Sequence, residues 1–87
     1  MNVTIRDFSE ENIIKQCTKV MRCLALSDTE KVAELLHIDA QMYQNCGEET
    51  PKYAKEKVKS MSRNIYRLIR DLDQEKGSRF LRAIVND

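Results

Sequence analysis

The sequence predicts an all-α fold, a small three-helix bundle with a short fourth C-terminal helix, in one domain over residues 1–87. Three observations predict it. Apolar residues recur at three- and four-residue intervals in four segments, the spacing that gathers them on one side of a helix. A residue able to cap a helix with its side chain stands before each segment. With 2 Gly and 1 Pro in 87 residues, the chain is too poor in turn-formers for a β fold of many short strands.

Ser9 is the predicted cap of the first helix, with Glu10 and Glu11 in the first turn, where the positive end of the helix dipole favours carboxylates. Its apolar stripe is Ile13, Ile14, Cys17, Val20, Met21 and Leu24. Ser27-Asp28-Thr29-Glu30 has the spacing of a capping box and starts the second helix. The stripe there is Val32, Leu35, Leu36, Met42, Tyr43 and Cys46, and Gly47 is the predicted stop. Asp39 falls inside this stripe. Either it pairs with a base on another helix, or the segment breaks and Asp39 caps a new helix. Thr50 as cap and Pro51 at the first helical position predict the start of the third helix. Ala54, Val58, Met61, Ile65, Leu68, Ile69 and Leu72 form its stripe, the longest in the chain. Asp71 to Gly77 reads as an ending and a turn, and Ser78 as the cap of a short final helix with Phe80, Leu81, Ile84 and Val85 apolar. Because Asp87 follows these apolar residues directly, the chain is expected to be a fragment of a longer protein.

Several classes of function are disfavoured. No apolar run approaches the roughly 20 residues that span a bilayer, and Met1 to Phe8 has no apolar signal region. An intracellular location without a membrane partner is expected: the nucleus for a eukaryotic source, the cytoplasm for a viral or bacterial one. Cys17, Cys23 and Cys46 are odd in number and nowhere spaced C-x-x-C, which predicts free thiols, with Cys17 buried. One histidine (His37) and scattered ligands predict no metal and no cofactor. A Gly-rich phosphate loop, G-x-S-x-G and H-E-x-x-H are all missing from the sequence. A binding module rather than an enzyme is therefore expected. Met21, Met42 and Met61 sit at core spacing.

The net charge of +1 conceals a polarised distribution. Asp28, Glu30, Glu34, Asp39, Glu48 and Glu49 face a single base, Lys31, between residues 28 and 50. Lys52, Lys55, Lys57, Lys59, Arg63, Arg67 and Arg70 face a single acid, Glu56, between residues 51 and 70. At about 100° per residue, Lys52, Lys55, Lys59, Arg63, Arg67 and Arg70 share one arc of the third helix, opposite its apolar stripe. Such a row is either a solvated face neutralised by the acidic segment or a surface for an anionic partner, protein or nucleic acid. Tyr53 and Tyr66 flank the stripe, too few aromatics for single-strand binding by stacking.

Residues 14 to 85 resemble the central domain of transcription elongation factor S-II (TFIIS). Ile14-Lys15-Gln16-Cys17 through Met21 and Leu24-Ala25-Leu26 is similar to that domain's opening helix, and Ile38-Asp39-Ala40-Gln41-Met42-Tyr43 to its second. Thr50, Tyr53, Lys57-Val58-Lys59-Ser60 and Asn64-Ile65 resemble its Thr, Tyr and R-V-R-S-x-x-x-N-L run; Leu81-Arg82-Ala83-Ile84-Val85 resembles its L-R-x-x-V. The tyrosine stands one residue farther from the basic run than in the family, and a longer segment replaces the family's N-P turn. The resemblance implies a helical bundle that docks on RNA polymerase through basic residues of its third helix, here Lys57, Lys59 and Arg63. Without the family's zinc ribbon, these residues are expected to anchor without stimulating transcript cleavage.

Two alternatives come from the same residues. Residues 29–34 resemble the first helix of a helix-turn-helix of the phage CII type, with His37-Ile38-Asp39 as the turn. The second helix would then enter the major groove, although no Lys or Arg occurs between Lys31 and Lys52 to meet phosphate. The other alternative is a helical protein–protein adaptor unconnected with transcription.

Overall fold

A computed structural model describes residues 4–85. Among them are four helices and no strand: α1 (Glu10–Arg22), α2 (Asp28–Asn45), α3 (Lys52–Leu72) and α4 (Gln74–Val85). The protein is an all-α bundle in which α1, α2 and α3 enclose the core and α4 packs back along α3. No helix among the described residues is long and apolar enough to cross a membrane.

The first two helices start where their caps predict. Ser9 Oγ accepts from the Asn12 amide at 3.3 Å. Ser27 Oγ accepts from the Glu30 amide at 3.2 Å, while Glu30 Oε1 accepts from the Ser27 amide at 3.1 Å, a complete capping box. The other two starts correct the sequence expectation. Thr50 does not cap α3: its hydroxyl accepts from the Gly47 amide at 2.9 Å and closes the α2–α3 turn, leaving Pro51 as the cap residue without a side-chain bond. Ser78 does not cap α4, because α4 starts four residues earlier. Asp73 separates α3 and α4 by itself: its amide closes the last turn of α3 on the Ile69 carbonyl (2.7 Å), and its Oδ1 accepts from the Lys76 amide (3.1 Å). A carboxylate at that position satisfies one of the orphan amides of the new helix.

The core joins Ile13, Cys17 and Val20 of α1 to Val32, Leu35, Ile38 and Met42 of α2 and Met61, Ile65 and Ile69 of α3. Each large side chain taken out of water there contributes roughly 1.5–3 kcal/mol. Ile5 closes one end, its amide donating to Gln41 Oε1 at 2.7 Å. Three residues of the predicted stripes point outward instead: Ile14, Tyr43 and Leu24, the last in the turn after α1.

Asp39 resolves in neither of the two expected ways. α2 runs unbroken through it, so residues 28–45 are one helix and the turn required by a helix-turn-helix at residues 37–39 is not formed. Nor does Asp39 meet a base among the described residues. Buried against α3, it accepts from Ser62 Oγ at 2.5 Å and from Tyr66 Oη at 2.7 Å.

Candidate docking face

α3 is 21 residues long, about 30 Å at 1.5 Å per residue, and it carries all seven predicted site residues. Lys52 and Lys55 are exposed in its first turns, Lys59 and Arg63 are half-buried at its middle, and Arg67 and Arg70 are exposed towards its end. Lys57 stands apart. It lies about 140° around the helix from Lys52 and reaches α1, where its Nζ is 3.5 Å from Glu10 Oε2. It ties two helices together rather than extending the row.

The rotation of α3 that turns the row outward is fixed from both sides. Ser62 and Tyr66, one turn apart, donate to the two oxygens of Asp39 on α2. Tyr66 then stacks on Phe80 of α4, with ring centroids 5.2 Å apart and planes at 22°. One turn on, Gly77 lies so close to Arg70 that a Cβ there would overlap the Arg70 Cα and amide nitrogen. Carried one turn the other way, the same antiparallel register sets buried Ile84 level with Ser62 and Arg63. α4 therefore runs beside the C-terminal half of the row, and Arg70 remains exposed at its foot.

The acidic segment makes no ion pair with Lys52, Lys55, Arg63, Arg67 or Arg70 among the described residues, and Glu48 borders the same shallow pocket as Lys55. Glu30 is committed to the α2 cap, Asp39 to two hydroxyls, and Glu34 is buried. Asp28, Glu48 and Glu49 are exposed. Lys52, Lys55, Arg63, Arg67 and Arg70 have no carboxylate within 4.0 Å among the described residues; Arg67 donates instead to Asn64 Oδ1 at 3.0 Å. Like charges one turn apart on a helix repel by a few tenths of a kcal/mol per pair, and a partner of opposite charge removes that repulsion.

Two features of the face escaped sequence reasoning. Ser62 reads as a neutral residue beside the stripe, and nothing local shows that it meets Asp39 across 23 positions of chain. Gly77 reads as a turn residue, whereas it is a contact point between helices. No three His, Cys, Asp or Glu side chains converge as a metal site requires among the described residues. Comparison of the chain with family models, with curated proteins and with solved structures gives no match.

Proposed function

We propose that this chain is a docking module of the transcription machinery that holds RNA polymerase through the exposed cations of α3. The observation that carries the proposal is the row itself: Lys52, Lys55, Arg67 and Arg70 are exposed on one rigid helix without a carboxylate partner among the described residues. Guanidinium groups at Arg67 and Arg70 suit bidentate contact with carboxylates of an acidic protein surface. The order of the elongation-factor motifs along residues 14–85 supports polymerase as the owner of that surface. The role is anchoring, with no chemistry performed by the chain.

The test is a pull-down on purified RNA polymerase II, paired with binding to random duplex DNA at about 50 and 200 mM salt. Polymerase binding with weak, salt-sensitive DNA affinity is the expected result. Tight DNA binding without polymerase assigns the row to nucleic acid, and binding to neither leaves the adaptor reading.

A further inference from the structure

The outer face of α2 is bare of acids and bases along its length and acidic at both ends. Ala33, His37, Ala40, Tyr43 and Gln44 are exposed and lie within about 60° of Ala40 around the helix. No Lys, Arg, Asp or Glu is exposed between Lys31 and Glu48. Asp28 and Glu30 are exposed at one end, Glu48 and Glu49 just past the other, and none of the four has an ion pair among the described residues. Tyr43, 44% exposed, shares a shallow pocket with Glu48 and offers a ring on which a cation can pack. The α3 row has the opposite sign in the same layout. Its exposed cations gather at its ends, Lys52 with Lys55 and Arg67 with Arg70, while Lys59 and Arg63 between them are half-buried. Glu56 offsets one cation at the first end and Asp71 one at the second, and both ends stay positive. Lys52 and Arg70 stand about 27 Å apart along α3. With 18 residues, α2 is also about 27 Å long.

We infer that α2 of one copy of this chain docks on the α3 row of a second copy. The two helices run antiparallel. Glu48 and Glu49 then meet Lys52 and Lys55 of the second copy, while Asp28 and Glu30 meet its Arg67 and Arg70. Charge and span together select this occupant. Acids at the two ends of α2 repel an acidic helix, a nucleic acid or an anionic membrane. They match cations spaced at the same distance, and this chain presents such cations itself. The antiparallel order also opposes the two helix dipoles, setting the negative end of α2 at the positive end of α3. Ala33 and Ala40 keep the middle of the α2 face low, so the helices can approach closely. The α2 face and the α3 row are different patches. The contact is therefore head-to-tail, and a copy bound through one patch still presents the other. The row is the one proposed to hold polymerase, but self-association needs no polymerase and stands or falls without it.

The experiment is sedimentation velocity of the purified chain. At about 50 mM salt the sedimentation coefficient is expected to rise with protein concentration up to about 1 mM. At about 500 mM salt the association is expected to weaken at least about tenfold. Ala40→Arg places a good helix former at an exposed position and sets a cation against the row, so this variant is expected to stay monomeric. Arg67→Glu with Arg70→Glu is expected to do the same from the other side. Far-ultraviolet dichroism of both variants should match that of the parent. Mixed in equal amounts, the two variants are expected to form a 1:1 complex and nothing larger, because the first supplies an intact row and the second an intact α2 face. A parent chain that stays monomeric at about 1 mM overturns the inference. So does association indifferent to salt or to either variant, or a mixture of variants that stays monomeric. Self-association in a chain that captures no polymerase sinks the polymerase proposal alone; a monomer that captures polymerase sinks the self-association alone.

Discussion

Asp39 shows how one side chain sets the orientation of a helix. Its two oxygens hold Ser62 and Tyr66 of α3, and its loss is costly, because Asp39→Ala takes the acceptor from the fully buried Ser62 hydroxyl. The expected destabilisation is about 1–3 kcal/mol, read by urea denaturation, with Tyr66→Phe at the lower end of that range. The apolar stripe marked Asp39 as out of place, so the need for a partner was legible. The partner was not, since periodicity reports which face a residue takes and says nothing of what lies opposite. Cys17 behaves as its position in the first stripe implies. Burial first, and the nearby Asp39 carboxylate second, push its thiol up to about 11. The protonated thiol is thus the folded form at neutral pH; its contribution to stability is held below about pH 9 and lost as the pH rises towards 11. Iodoacetamide applied to the native chain at pH 7.5 should label half-buried Cys23 and Cys46 and spare Cys17, as peptide mass mapping reports; prompt labelling of Cys17 contradicts its packing.

Among the elements, α2 and α4 depend on their starts. Glu30 closes the capping box. The Ser27 backbone amide, and then the Ser27 hydroxyl, hold its carboxyl below the usual value of 4.5. A depressed carboxylate supports the fold above its unfolded pKa and ceases to do so as the pH falls through its folded one. Protection of the first-turn amides of α2, measured against intrinsic exchange at the same pH, should therefore fall below about pH 4.5, and Ser27→Ala should show the lower protection already at neutral pH. For α4, Gly77 sets two principles against each other. Helix propensity alone favours Gly77→Ala by about 1 kcal/mol. The contact with Arg70 forbids it, because the new Cβ meets backbone that cannot yield. The expected net effect is a loss of about 1–3 kcal/mol, with the Tyr66–Phe80 ring contact disrupted in the NMR spectrum; a rise in Tm would show that α4 is not held as described. The same glycine explains why the sequence reading misjudged this helix. Glycine and the acidic cluster around it look like a turn, and Ser78 looks like a cap, when the distinguishing fact is a close approach by a neighbouring helix.

At the scale of the molecule, the Cα trace is only 17 Å thick along its shortest axis, so a thin layer of side chains holds three helices together. Leu35, fully buried among them, should cost about 2–5 kcal/mol when cut to Ala. That is a large share of the 5–15 kcal/mol typical of a domain, and calorimetry of Leu35→Ala should show a broad, low transition. Four helices, three of their stripes and the cation arc were legible because each repeats along the chain and needs no distant partner. The shape of the candidate docking face was not. Lys57, already off the arc by its spacing, finds Glu10 of α1, α4 flanks the half that carries Arg63 and Arg70, and Arg67 turns out to border an apolar groove. Each of these follows from a pairing between helices that no local pattern encodes.

Polymerase docking by the cations of α3 is the proposal that the whole molecule bears on. The most direct test is the affinity of the chain for purified RNA polymerase II, compared with that of the variant Lys52→Glu, Lys55→Glu, Arg70→Glu. All three positions are exposed, and the far-ultraviolet dichroism of the variant should match that of the parent chain. The parent should bind and the variant should lose at least about a hundredfold in affinity, as when several complementary charges become repulsive. Equal affinity of the two chains contradicts the proposal and returns the row to the status of a solvated helix face.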